Sequence, residues 1–438
     1  MIHLILAASL ASQAPTTPTP VPEPAGPRLT LRAALERAFQ LSPSAIRAED
    51  EIEAAEAQRV ATKSLVLPRL SVTGSLIKNS QEVSFGSAAD SRVILPGTDW
   101  STRVTLQQPV YAGRREFRLY YQSKEGVTLA RDGKRGNRDR LALRVIAEYA
   151  LAVQADALAN VERQAATLAE KRIAQAQSLF DAGEVTRVDV LRAETAYKGA
   201  LRRVAIAEAD GIQARSRLRT VLAIDGAGTE LGTLDTTTEI AIPVPAPEAL
   251  DKLALDRAEI KQAETNVRIA DLEVLKQKGA YFPVVTADLG YLKQKSSFPS
   301  DGYGYAALRF TVPIFQGGEV GARIRLASAR QHQAETTLAE AKRQAYEDIR
   351  QALAMLEASR RAKSLADDQV KAAEAEYAEA RDLYEQREAT ALDLQAAETA
   401  LSEARRSLIE AKFEVLRGEA TAWLAAGSLA DAALENFK

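Results

Sequence analysis

Residues 179–190 of this sequence recur as residues 383–394, at an offset of 204. Leu179, Phe180 and Asp181 correspond to Leu383, Tyr384 and Glu385, and Thr186, Asp189 and Val190 to Thr390, Asp393 and Leu394. The same offset carries Ala193-Glu194-Thr195-Ala196 onto Ala397-Glu398-Thr399-Ala400, Pro109 and Tyr111 onto Pro313 and Phe315, and Gly113 onto Gly317. A nearby offset of 215 carries Leu67-Pro68-Arg69-Leu70 onto Phe282-Pro283-Val284-Val285. A unit this long is no solenoid repeat, whose period is about 20–50 residues. It calls for two similar halves in one pseudo-symmetric body, so every functional feature is expected as a pair.

Prolines mark the joints. All 16 fall at or before Pro109, between Pro243 and Pro299, or at Pro313. The proline-free stretches 110–242 and 314–438 are rich in Ala, Glu, Arg, Gln and Leu, the strongest helix formers, and predict two very long helical blocks. Ala166, Ala169, Ile173, Ala176 and Phe180 step by three and four, as do Val370, Ala373, Tyr377, Ala380 and Tyr384. That is a coiled-coil seam. Its alanines let helices approach closely and suit many helices packed side by side. A helix over 114–179 would be about 100 Å long. Gly126, Gly133 and Gly136 each cost about 1 kcal/mol relative to alanine in a helix, and predict bending or irregularity there. Each block breaks at the recurring segment, around Gly183-Glu184 and Arg387-Glu388. Thr186 and Thr390 suit N-capping. Each break therefore reads as a hairpin tip, with helices over 188–222 and 392–416 running back antiparallel.

Four short segments alternate apolar and polar residues: 70–76, 103–107, 285–291 and 308–312. With flanks, each approaches the roughly 9–11 residues of a membrane-spanning β-strand. Trp100, Tyr111, Tyr281, Phe282, Tyr305 and Phe315 mark their ends like interfacial girdles. Pro68, Pro109, Pro283 and Pro313 sit where strand and helix are expected to meet, positions that tolerate proline.

Composition narrows the function. The chain has 438 residues, a net charge of −2, no cysteine and only two histidines, His3 and His332. Thiolate chemistry and disulfides are excluded, and a His-based metal site or triad has almost nothing to work with. The basic stretch 131–144 is interleaved with Asp132 and Asp139 and reads as a solvated helix face; no nucleic-acid partner is expected. No Gly-rich phosphate loop with lysine, His-Glu-x-x-His or nucleophile elbow occurs, so no enzyme activity and no cofactor is expected. Residues 4–11 form a short apolar core followed by small residues, as in an export signal. No cysteine follows it to carry a lipid anchor. No run of about 18 apolar residues occurs; an exported chain is then free in its compartment or embedded as a β-barrel. The expected organisation is a signal peptide (1–14), a Pro-rich linker (15–28), a first structural repeat (29–224), a connector (225–247), a second repeat (248–424) and a C-terminal tail (425–438).

The order helix, two strands, long helical hairpin, connector, and the same again resembles the TolC family of outer-membrane efflux and secretion channels. The likeness covers roughly 29–424. It rests on Leu67-Pro68 and Phe282-Pro283 at the strand starts, Gln108-Pro109-Val110-Tyr111-Ala112-Gly113 and Val312-Pro313-Ile314-Phe315-Gln316-Gly317-Gly318 at the strand exits, and the two Thr-x-x-Asp tips. The resemblance implies a mainly α fold: a long α-helical barrel of coiled-coil hairpins, plus four membrane β-strands per chain completed as a 12-stranded barrel in a homotrimer. It implies a channel in the outer membrane extending into the periplasm, exporting small molecules such as drugs, toxic compounds or metals with a periplasmic adaptor protein and an inner-membrane pump. Protein secretion of the type I kind is one alternative, and a periplasmic coiled-coil scaffold without a barrel another. Asp189 and Asp393 are the candidate gate residues, since three-fold symmetry would turn each into a ring of carboxylates whose protonation biases opening; the bland reading is a solvated Asp in the first turn of a helix. Gly183, Val185, Thr186, Ala389 and Thr390 are the candidate adaptor-docking residues. The second tip has Glu388-Ala389-Thr390, where strongly gated members carry Gly-Thr-Arg, and Ala396 where they carry a second Asp, which puts a double acidic ring in doubt.

Overall fold

The computed structural model describes residues 29–86, 92–224, 234, 241–295, 302–386 and 388–437; the expected signal peptide and Pro-rich linker, most of the connector and Arg387 lie outside them. Two short helices come first. Thr30 caps α1 (Leu31–Leu41), its hydroxyl accepting from Ala33 N–H at 3.2 Å, and Ser42 does the same for α2 (Pro43–Lys63) with Pro43 in the first turn. Next come strands β1 (Arg69–Lys78), β2 (Val83–Phe85), β3 (Arg92–Leu95) and β4 (Thr98–Ala112), then helices α3 (Arg115–Asp181) and α4 (Arg187–Val221). The second half contributes α5 (Pro247–Ala254), α6 (Ala258–Lys278), β5 (Val284–Gln294), β6 (Gly302–Thr311), α7 (Glu319–Glu385), α8 (Ala391–Ala426) and α9 (Leu429–Asn436).

The duplication is kept in the bounds of the long helices. Helices α3 and α7 are both 67 residues long and 204 apart at each end, about 100 Å each. Helices α2 and α6, both 21 residues, keep the 215 offset. The eleven-residue change of offset falls between β1 and β4. There the first half carries the β2–β3 hairpin, which has no counterpart among the described residues of the second half.

The glycines expected to disturb α3 do not interrupt it. Helix α3 runs unbroken through Gly126, Gly133 and Gly136. A Cβ on Gly136 would stand 3.0 Å from the Ala258 Cβ, and one on Gly133 3.1 Å from Gln262 Nε2. The two glycines let α6 approach α3, and that packing offsets their poor propensity. The returning helix α8 also runs ten residues beyond 416, because Glu419, Ala420, Ala422, Ala425 and Ala426 are buried there. Gly427, at φ +73°, ends it. Residues 429–436 then form a packed helix, whose Ala430 N–H is bound at 2.9 Å by the buried carboxylate of Asp139.

The main core joins α1, the middle of α3, the ends of α4 and α8, and α9, around Leu35, Ile146, Tyr149, Leu218 and Leu429. The basic stretch on α3 is exposed, as a solvated face should be, and pairs with carboxylates of α2, α6, α9 and the segment before α6. Arg131 pairs with Glu56, Lys134 with Glu49, Arg135 with Asp256, Arg138 with Asp431 and Arg140 with Glu259. Toward the hairpin tips only small alanine-based clusters remain, such as Ala166–Ala169–Ala200 and Ala373–Leu401–Ala404, as the seam predicts.

The main sheet has the order β1-β4-β5-β6, antiparallel throughout. Pro109 is not at a strand–helix joint. Strand β4 continues past it to Ala112, with a register irregularity between Pro109 and Tyr111 that accommodates the missing N–H. Pro68 and Pro283 directly precede β1 and β5, and Pro313 follows two residues after the end of β6.

Candidate functional site

Two places combine exposure with specific geometry: the hairpin tips and the faces of the sheet.

At the first tip, α3 ends in a Schellman turn. Gly183, at φ +76°, donates to Phe180 O and Glu184 to Leu179 O, both at 2.8 Å. At the second tip Glu388 N–H reaches Leu383 O at 2.8 Å, the same bond 204 residues later. The next helix starts with a reciprocal capping box. Asp189 Oδ2 accepts from Thr186 N–H at 3.0 Å and from its hydroxyl at 2.7 Å. Asp393 Oδ2 accepts from Thr390 N–H at 2.9 Å and from its hydroxyl at 2.6 Å. These hydrogen bonds hold both carboxyls below the ordinary carboxylate range. The aspartates expected to gate by protonation therefore have their charge stabilised by the caps.

Of the residues expected to dock a partner, Gly183, Thr186 and Thr390 are exposed while Val185 and Ala389 are half-buried. Within the same tip segments, 183–190 and 387–394, Val188 and Leu392 were not singled out from sequence, yet they are 53% and 72% exposed at equivalent positions. Their signal was available: each stands two residues before a buried seam residue, Val190 or Leu394, and so points away from the seam.

Across the sheet, alternation sorts the side chains. Leu70 faces Leu106 and then Leu289; Val72 faces Val104 and then Tyr291; Leu76 faces Trp100. These residues, with Leu308 and Phe310, are exposed and form one continuous apolar face. The other face carries Ser71, Thr73, Ser75, Ser101, Arg103 and Thr105. There the Ser75 and Ser101 hydroxyls lie 2.8 Å apart, and Arg309 pairs with the buried Asp288 at 3.2 Å. A sheet with one exposed apolar face and one polar face fits a wall between lipid and water. Among the described residues, the outer strands β1 and β6 each have one unpaired edge. No helix among the described residues is long and apolar enough to cross a membrane, and no described group of His, Cys, Asp and Glu is arranged to hold a metal.

A family model described as outer membrane efflux protein matches residues 31–223 and 249–427. The chain belongs to the outer membrane efflux protein family. The two matched segments are the two halves of the fold. Solved structures of similar fold include CusC, at 18% identity and a TM-score of 0.78, with 95% of this chain and 99% of that one covered. The outer membrane protein VceC of Vibrio cholerae gives 17% identity and a TM-score of 0.74, covering 91% of this chain and 96% of that one. The outer membrane channel CmeC of Campylobacter jejuni gives 16% and 0.75, covering 91% and 85%. No protein of curated function matches the sequence. The efflux-protein family and its fold are those of channels rather than enzymes, as the sequence resemblance implies.

Proposed function

We propose that three copies of this chain close into an outer-membrane channel, the exit duct of a tripartite system that exports small molecules. The hairpin tips would dock a periplasmic adaptor, and an inner-membrane pump would drive transport.

The observation that carries this reading is the open four-stranded sheet with its apolar face. Four strands cannot enclose a lumen and eight would fill with side chains, whereas three copies supply twelve strands and leave no free edge. The duplication supplies the joint. Within the chain, the last strand of the first half, β4, pairs with the first strand of the second, β5. The last strand of the second half, β6, and the first strand of the first half, β1, are the equivalent pair, and their directions make them antiparallel. Carrying the β4–β5 register over by the two offsets sets Leu308 against Leu76, Arg309 against Ser75 and Phe310 against Gly74 of the next copy. Below the sheet, a Cβ on Gly113 would lie 2.0 Å from Gly279 O, so the backbones touch there. The equivalent Gly317 has open space around it, which leaves room for the next copy.

The chain has no cysteine, so an engineered pair reports on this joint alone. In outer membranes, Leu308→Cys with Leu76→Cys should oxidise to a covalent trimer, and Leu308→Cys with Thr73→Cys, on the opposite face, should not. A protein that stays monomeric under oxidation, or is released in soluble periplasmic extracts, would sink the proposal. For the adaptor, Val188→Asp with Leu392→Asp should abolish export while leaving the trimer intact; undiminished export would remove these residues from docking.

A further inference from the structure

The paired helices α3 and α4 are charged differently on their two faces. On the face shared with α1, every guanidinium that crosses between the helices meets a carboxylate: Arg163 with Glu208 at 2.9 Å and Arg215 with Asp156 at 2.7 Å. On the opposite face runs a groove of about 510 Å³ between α3, α4 and α8. Four arginines line it, Arg202, Arg203 and Arg217 from α4 and Arg406 from α8, against one lining carboxylate, Asp210. Beneath them Glu162, 5% exposed, binds Arg203 through Oε2 and Arg406 through Oε1. Both of its oxygens are thereby used. Each of those guanidiniums keeps further N–H donors, since the group carries five. Arg202 and Arg217 make no ion pair or hydrogen bond among the described residues. Counting Glu162, the groove holds a surplus of two positive charges. Between the arginine ends the lining is apolar, from Leu151, Leu158 and Ile206.

We propose that this groove binds an amphipathic organic anion, a carboxylate or sulfonate on an apolar body, and that such anions are among the cargo of the duct. The inference rests on the channel reading, in which the face turned away from α1 and α9 lines the tunnel. The volume lies in the range of small-molecule sites, about 300–1,000 Å³. Arginine suits the head group because its planar fork matches carboxylate and sulfonate oxygens. The acid-matched outer face shows that the surplus does not simply follow from arginine-rich helices.

The test uses the full-length protein in detergent, with 1-naphthalenesulfonate, 1-naphthyltrimethylammonium and naphthalene methanol as probes, read by titration calorimetry and by block of single-channel current. The sulfonate should bind at least tenfold more tightly than either other probe. Arg202→Gln with Arg217→Gln should remove that preference, and Asp210→Asn should strengthen it. Oligomer size should be unchanged in these variants. Equal binding of sulfonate and ammonium, or an unchanged preference in the double variant, would overturn the inference. Loss of conductance in the unmodified protein would instead overturn the channel reading on which it stands.

Discussion

At the hairpin tips a single carboxylate oxygen accepts two hydrogen bonds from one threonine. Hydrogen bonds to the ionised form favour it, and neither Asp189 nor Asp393 is buried enough to counter that. The folded value being depressed, the caps contribute fully above the ordinary carboxylate value, about 3.9. Their contribution is lost as pH falls through the lower folded value. In the single chain Asp393 therefore keeps its charge from neutral into mildly acid conditions. Hydrogen exchange of amides 391–394, corrected for the intrinsic rate, should be flat from pH 7 to about pH 4 and rise below. Thr390→Val should bring the Asp393 pKa back toward its ordinary value and speed exchange about fivefold at neutral pH. Protection that already falls between pH 7 and pH 5 would refute the capping account. The Thr-x-x-Asp spacing made this cap legible in the sequence. Val188 and Leu392 were not singled out within the tips, because that required the phase of the seam beyond the turn.

Between elements, close approach and charge decide what helix propensity does not. Gly126, Gly133 and Gly136 look alike in the sequence, yet they differ in what lies over them. A Cβ on Gly126 meets nothing within 4 Å, while one on Gly136 meets Ala258. Gly126→Ala should therefore stabilise the protein by about 1 kcal/mol, and Gly136→Leu should destabilise it by about 1–3 kcal/mol through overpacking. Thermal unfolding of the two variants checks both signs; a destabilised Gly126→Ala would mean that a neighbouring copy covers that position. Neither sign was readable beforehand, since both depend on α6, more than 100 residues away in sequence. The α3–α8 contact adds a charge test. Arg172 and Glu398 pair across it, both largely shielded from solvent. Burial pushes the Glu398 carboxyl up, against the pull of Arg172. With the folded value raised, the favourable contribution of Glu398 is complete below the ordinary carboxylate value and is lost as pH rises through the raised one. Arg172→Leu leaves that carboxylate buried and unpaired, a loss of about 3 kcal/mol at neutral pH. The deficit should shrink as pH falls and Glu398 takes up a proton, and Glu398→Leu in the same chain should restore most of it. A deficit that is the same at pH 8 and pH 5 would contradict this account.

For the whole molecule, the duplicated order of elements made the fold readable from residues, because the proline positions and the two offsets fix which segment follows which. The reach of the strands was less readable. The alternating run 103–107 is the middle of a fifteen-residue strand that carries Pro109 on a bulge, and a bulge leaves no periodic trace. In the proposed channel, which face of the sheet would meet lipid follows from register. Val72 lies in the apolar row with Val104 and Tyr291, while the adjacent Thr73 lies opposite Arg103 on the polar face. The two positions share one strand and one depth, so they separate the effect of the face from that of the strand. Arginine on a lipid-facing barrel position costs about 2–4 kcal/mol near the bilayer midplane, falling toward the interfaces; on a water-facing wall it is solvated. Val72→Arg should therefore lower the yield of assembled protein in outer membranes, with a loss of the heat-sensitive oligomer band on gels. Thr73→Arg should assemble normally and add to the positive charge beside Arg103, shifting the reversal potential in a salt gradient toward anions. Equal assembly of the two variants would mean that the sheet does not divide lipid from water.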